Sequence, residues 1–425
     1  MNALTKLAAL VQSRDLGSAW PARLDRVKLH VVDACGARLA GSRTDEGAAI
    51  ARLCASMTDG LAGAVLAGCA QTRCTEVDDI HLASCTTPGS VVVPTALALA
   101  AAGDLRSVGE VCAAALAGFE SLIRFGVAID GPAAIGKGVW PTHAAAAFGS
   151  AAVACRAYGL TVDRTAGALA TALALGSGAP VSAALPSSSR WMTLGLAAVN
   201  GVTAARAARE GLVGTDDPVA LGPRLTNGLG RRFLFDDIGM KPYPTARQGL
   251  AAIEAARRLT DTWRIDPSGI DEIVVHLSEP QRAIVDRPEL PATRFASVVS
   301  VQYQIALALI APDRLFDVRR TPPFVDDRLS LLMSKIRVRR ARDLDKHYPR
   351  AWPARVEIAA AGRGYSRLVL HPRGDARDPF GWDDVSRKFL ALAGPAIGED
   401  RAARAVARMR DAPASADMPA LWELQ

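Results

Sequence analysis

From residue 1 to about residue 255, apolar positions come in long Ala-, Leu- and Val-rich stretches broken only at Gly, Pro or short polar runs. This pattern predicts helix after helix: 28–41, 47–58, 92–103, 107–128, 143–159 and 163–176, after an amphipathic start at the N-terminus. The stretches are apolar on more than one face, so these helices are expected to pack against other helices on several sides. No fixed-period repeat runs through them, which excludes a solenoid.

Near residue 264 the pattern changes. Residues 271–278 (DEIVVHLS) are rich in β-branched side chains and read as a strand. Further strands are predicted at 336–340, 354–360 and 366–371, the last preceded by a Gly-Arg-Gly turn signal. Helices are predicted between them at 297–311 and 326–334. Helical patterning returns at 382–393 and 400–411, where Asp383 and Asp384 favour a helix start. The expected organisation is mostly α with a smaller α+β domain. A helical domain would comprise 1–263 and 394–425, and an α/β lid domain 264–393.

Composition narrows the function. The chain is 50% hydrophobic but only 5% aromatic, which suits close-packed helices rather than a sheet sandwich. The net charge is +7, yet Arg is interspersed with Asp and Glu, and no basic block alternates with aromatics. A nucleic-acid partner is therefore not expected. All seven cysteines lie before residue 156, with irregular spacing and no CxxC, as in a reduced cytoplasmic protein. No signal peptide is read, and the longest apolar run noted, 91–103, falls short of a membrane span and contains Pro94. No metal-ligand spacing stands out.

Five segments, in order, resemble the MmgE/PrpD family. Residues 76–81 (EVDDIH) with 87–94 (TPGSVVVP) resemble the family's LDFDDTH…HPGS stretch. Residues 136–143 (GKGVWPTH) are similar to its GFHPT turn, and 189–202 (SRWMTLGLAAVNGV) to TKPLHAGRAAQNGV. Residues 240–245 (MKPYPT) match KPYPS almost letter for letter, and 371–389 resemble PRGDPxNPLSWxxxxxKF. The resemblance implies a helical domain with an inserted α/β lid, a homodimer, and chemistry without metal or other cofactor on small carboxylic acids. Dehydratases, decarboxylases and an epimerase are among its activities.

Proton transfer beside a carboxylate suits histidine, whose ordinary pKa lies near operating pH. Here the family's histidines are largely replaced. Thr87 stands in HPGS, Trp140 in FHPT, Arg190 and Thr193 in KPLH, Leu196 for the following Arg, and Leu250 near the histidine expected after KPYP. The remaining candidates for catalysis are Asp78, Asp79, His81, Lys137, His143 and Tyr303. Asp78 and Asp79 are adjacent and cannot point the same way, so at most one is expected to face a ligand. Arg190, Lys241, Thr87, Trp140 and Thr193 are the candidates for holding a small carboxylate substrate. If Trp140, Trp191, Met192, Leu196 and Leu250 line the pocket, the ligand is less polyanionic and more apolar than methylcitrate or aconitate.

Three functions fit. One is a cofactor-independent lyase that abstracts a proton α to a carbonyl or carboxylate while Arg and Lys stabilise the anion. The second is an isomerase, epimerase or cyclase using the same carbanion. The third is a non-catalytic member that keeps only ligand binding or dimerisation.

Overall fold

A computed structural model describes residues 2–13, 20–176, 188–212, 214, 222–319 and 323–418. It divides into two units: residues 1–238 with 381–425, and residues 239–380.

The first unit is helical. Its N-terminal part runs through α1 (Ala3–Gln12), α2 (Trp20–Gly41), α3 (Asp45–Ala55), α4 (Gly60–Cys74), α5 (Gly89–Ala101), α6 (Val108–Ala128), α7 (Pro141–Ala157), α8 (Val162–Ala174) and α9 (Ser189–Arg209). Helix α7 packs against both α6 and α9, and α9 also packs on α4. Small residues make these crossings possible. A Cβ at Gly201 would lie 2.0 Å from the Ala147 carbonyl oxygen, and one at Gly118 would lie 2.4 Å from Val153. Ser150 hydroxyl donates to the Ala198 carbonyl across the same crossing, at 2.7 Å. The high alanine content thus serves backbone-to-backbone approach, which larger side chains would prevent by overpacking.

Helix α6 has 21 residues and is long and apolar enough to cross a membrane, contrary to the expectation that no run reaches that length. It lies inside the unit instead. Within it Arg124 pairs with Glu120 at 2.9 Å, both 1% exposed. Glu120 also accepts from the Phe235 amide, and Arg124 donates to the carbonyls of Asn227 and Arg232. The buried ion pair thereby ties the 227–235 segment to the helix, every charge having a partner.

The second unit contains α10 (Leu250–Trp263), α11 (Val301–Ile310) and four strands, β1 (Ile270–Leu277), β2 (Ile336–Arg340), β3 (Ala354–Ala360) and β4 (Arg363–Val369). The sheet order is β2-β1-β3-β4, with β1 and β2 parallel and the other pairs antiparallel. Strand β3 alternates: Val356 and Ile358 enter the core while Glu357 and Ala359 are exposed. The helix expected over 297–311 is broken at Ser300, whose hydroxyl caps α11 by accepting from the Tyr303 amide.

The unit begins at 239 rather than the expected 264. The reason is α10, whose Leu250, Ile253, Ala256 and Leu259 share one core with Ile273, Val275, Val356 and Ile358 of the sheet. A helix that covers a sheet face belongs to the sheet's core, whatever the sequence pattern around it.

The chain then returns to the first unit through α12 (Trp382–Ile397) and α13 (Glu399–Asp411). Lys388 of α12 is buried, pairs with Asp33 of α2 at 2.5 Å and donates to the Val77 carbonyl at 2.7 Å. Lys28 of α2 donates to the Arg410 and Ala412 carbonyls at the end of α13, satisfying its last turn. Lys388, together with Trp382, whose indole N–H donates to Asp25 of α2, places α12 in the helical unit from its first turn, earlier than the expected residue 394.

Candidate active site

The starts of α5, α7 and α9 meet the end of α4. Thr142, at the start of α7, accepts from the Thr87 amide just ahead of α5 at 3.0 Å. His143 Nε2 lies 2.9 Å from the Arg190 carbonyl oxygen, joining the first turns of α7 and α9. At the end of α4 the Arg73 guanidinium lies over the Trp191 ring at 5.4 Å. Helices α1, α3, α4, α6 and α8 carry side-chain N-caps from Asn2, Thr44, Asp59, Ser107 and Thr161. The residues preceding α5, α7 and α9 supply none. Unlike the capped helices, these three bring first-turn N–H groups and positive dipole ends to one place without a cap of their own.

The charged residues there are buried. Arg73 Nη1 is 2.7 Å from Glu76 and 3.4 Å from Asp78. The Arg190 guanidinium lies 5.1 Å from the Trp140 ring centroid and 5.4 Å from that of Trp191. Glu76 has φ of +56°, a left-handed conformation unusual for a residue with a Cβ. Thr193 hydroxyl donates to the same Arg190 carbonyl at 2.8 Å.

The tautomer of His143 follows from its partner. A carbonyl oxygen only accepts, so Nε2 carries the proton and Nδ1 holds a lone pair. Nδ1 is buried without a hydrogen-bond partner among the described residues, and so is the Trp140 indole Nε1, a donor. Burial pushes the His143 pKa down to about 4, with Arg73 and Arg190 lowering it and the Arg190 carbonyl and Glu76 opposing. At neutral pH the ring is uncharged: an acceptor of protons, not a donor of a second one.

A second polar knot lies along the same acidic segment. Asp79 accepts from the Gly89 amide at 2.8 Å and lies 3.1 Å from His30 Nδ1, capping α5 from outside the helix. His30 is held between the rings of Phe119 and Phe235. His81 Nδ1 accepts from the Ser84 amide and lies 2.8 Å from the Ser84 hydroxyl, which in turn reaches Thr86. Burial lowers the His81 pKa to about 4, Asp237 opposing.

With the geometry in view, comparison places the chain among known proteins. Residues 5–230 match the MmgE/PrpD N-terminal domain and residues 243–411 the MmgE/PrpD C-terminal domain. The chain belongs to the MmgE/PrpD family. The gap between the two matches brackets the structural division at 238 and 239. The chain is also 26% identical over 388 residues to a cis-aconitate decarboxylase-like protein of Aspergillus oryzae, covering 82% of this chain and 79% of that one. The family includes dehydratases and decarboxylases.

Against this MmgE/PrpD frame the candidate residues separate. The helical unit gathers Asp78, Thr87, Trp140, His143, Arg190 and Thr193 about one point. Asp79 and His81 lie nearby in sequence but are committed to backbone amides. Lys137 is exposed at the end of the short helix Gly131–Gly136. Lys241 and Tyr303 belong to the second unit. Lys241 is 2% exposed, and Tyr303 is core with its hydroxyl donating to the Phe324 carbonyl at 2.9 Å. Leu250 lies in the core of that unit, and Leu196 is 40% exposed on α9, so neither lines the cluster in the helical unit.

Arg73 and Glu76 are not among the candidates that the sequence offers. Their signal was a charged i,i+3 pair ending an otherwise apolar helix. The close cysteines Cys69, Cys74 and Cys85 turn to different carbonyls, those of Val91, Gln71 and Leu82.

Proposed function

We propose that the chain is a lyase that removes a proton α to a carbonyl or carboxylate of a small carboxylic acid, with His143 Nδ1 as the base. The observation that carries this reading is the fixed tautomer. The Arg190 carbonyl takes the Nε2 proton, and the lone pair on Nδ1 is left in a buried site beside two guanidiniums. A substrate carboxylate held by Arg190 brings its α-carbon proton to Nδ1. As the C–H bond breaks, its electron pair moves into the carbonyl, and the enolate-like charge is stabilised by Arg190 and by the first-turn amides of α7 and α9. The pair then returns to form the double bond as the C–O bond to a β-hydroxyl breaks, and that oxygen takes the proton from His143 Nδ1 and leaves as water, restoring the neutral ring.

The depressed pKa suits this sequence. Without ligand, burial and, after it, the neighbouring arginines keep the imidazole neutral. A bound carboxylate offsets those cations, so the same ring becomes more basic once substrate is in place. The resemblance implies that no cofactor is needed, and the proposed route uses none.

An isomerase reading rests on one observation: the cluster contains a single imidazole, His81 being committed to Ser84. With one base and no second acid, the proton can return to the same carbanion without loss of a leaving group. Proton exchange in deuterium oxide, followed by NMR over a panel of 2-oxo and 3-hydroxy monocarboxylates, tests both. Exchange with release of water or carbon dioxide supports the lyase; exchange alone supports the isomerase. Absence of exchange and of product across the panel contradicts both. Arg190→Ala should raise KM at least tenfold; an unchanged KM would remove Arg190 from the site.

A further inference from the structure

The chain's net charge of +7 lies wholly in the second unit. Residues 239–380 hold 24 Lys and Arg against 17 Asp and Glu, and the rest of the chain holds 26 of each. Most of the excess falls in one short stretch. Residues 335–350 (KIRVRRARDLDKHYPR) carry seven Lys and Arg and two acids, Asp343 and Asp345. Both acids are engaged, Asp345 with Arg340 at 2.7 Å and Asp343 with Arg355 at 3.0 Å. Arg337 and Arg339 are exposed, and neither pairs with a carboxylate among the described residues.

The stretch opens with β2, an edge strand of the sheet. The Lys335 carbonyl accepts from the Ile273 amide and the Ala341 amide donates to the Leu277 carbonyl, both toward β1. Along a strand, successive residues turn their N–H and C=O to opposite sides. Arg337 and Arg339 therefore bond β1, in register with Val274 and His276. Val338 and Arg340 turn their backbone groups outward, where no described residue bonds them. Side chains alternate as well. Ile336 and Val338 face the core, and Arg337 and Arg339 stand on the opposite face, about 6–7 Å apart.

An open strand edge invites a second copy of the same strand. Here such a copy would set arginine against arginine, and like charges directly opposite destabilise a pair. A strand with Asp or Glu at alternate positions reverses the sign. Its backbone completes the ladder at Val338 and Arg340, and its carboxylates meet Arg337 and Arg339. Its apolar side chains then lie beside Ile336 and Val338. We propose that the β2 edge docks an extended segment of a partner protein, alternating acidic and apolar residues, as a fifth strand of the sheet.

The test reads fluorescence polarisation of a labelled peptide, Gly-Val-Glu-Val-Glu-Val-Glu-Gly, on the full chain. The same peptide with every backbone amide N-methylated keeps the charge and loses the donors. A thymidine octanucleotide offers charge without a strand. The unmodified peptide should bind at least tenfold more tightly than either. Arg337→Glu combined with Arg339→Glu should weaken it at least tenfold. Val338→Pro, which deletes an outward N–H and none toward β1, should do the same. Thermal melting reports which variants are folded, and the exposed arginine pair carries the test should the proline variant not fold. Equal binding of the methylated peptide or of the octanucleotide would reduce the edge to a charged surface and overturn the proposal. So would unchanged binding by the folded arginine variant, or no binding of the peptide at millimolar concentration.

Discussion

Two polar knots sit on neighbouring family segments of the helical unit, and they differ in what they leave open. Around Asp79 and His81, side-chain groups meet local amides, hydroxyls or a ring: Asp79 holds Gly89 and His30, and His81 holds Ser84. Around His143 and Arg190, the backbone carbonyl of Arg190 is doubly used while a ring nitrogen and an indole N–H have no partner among the described residues. Both knots are buried, and both histidines are held near pKa 4 by burial. The difference is therefore not environment but satisfaction. Buried polar groups that are fully bonded fix a chain path, and those left open are where a ligand makes its bonds.

The sharpest way to break the comparison is to exchange the roles. His143→Gln keeps a donor for the Arg190 carbonyl but removes the lone pair of Nδ1, and should lower turnover about 10²- to 10⁴-fold with little loss of stability. Asp79→Ala should do the reverse. It strands His30 and the Gly89 amide in the core, with a cost of about 3–5 kcal/mol by denaturant unfolding. Active Asp79→Ala protein of normal stability would contradict the assignment of the first knot.

Acid separates the knots next. An unfolded chain binds a proton at each of these histidines near pH 6.5, whereas the folded chain resists until about pH 4. Folding stability from each is thus complete above pH 6.5 and is lost as pH falls from 6.5 to 4, about 3 kcal/mol apiece. Bound monocarboxylate should shrink the part due to His143 and leave that of His81 unchanged. For the free enzyme, kcat/KM should fall only as pH drops through about 4. An acid limb near 6.5 would mean that His143 is not the base. The smallest effect is expected at the exposed Lys137, where Lys137→Ala should change kcat/KM less than twofold.

Much of the fold was legible because its signals are local. Strands at 336–340 and 354–360 agree with the structure to the residue, since β-branched alternation ends where turns begin. The unit boundary was less legible, because α10 looks like one more apolar helix and only the sheet it covers assigns it. In the site, the family segments point to Thr87, which bonds Thr142, and to Trp140 and Arg190, whose indole and guanidinium lie 5.1 Å apart. That His143 should outrank His81 was not readable. Both are lone histidines beside motif residues, and the decision lies in a carbonyl forty-seven residues along the chain. Arg73 was hidden in the same way, its partners being local but its place beneath Trp191 set by packing.

The most direct test is α-proton exchange in deuterium oxide, followed by NMR, with the 2-oxo and 3-hydroxy monocarboxylate panel and two folded proteins, the unaltered chain and His143→Gln. The account predicts exchange into at least one acid by the unaltered chain and its loss by two orders of magnitude or more in the variant. Equal exchange by both would show that the proton leaves to another group, and would contradict the central role given to Nδ1.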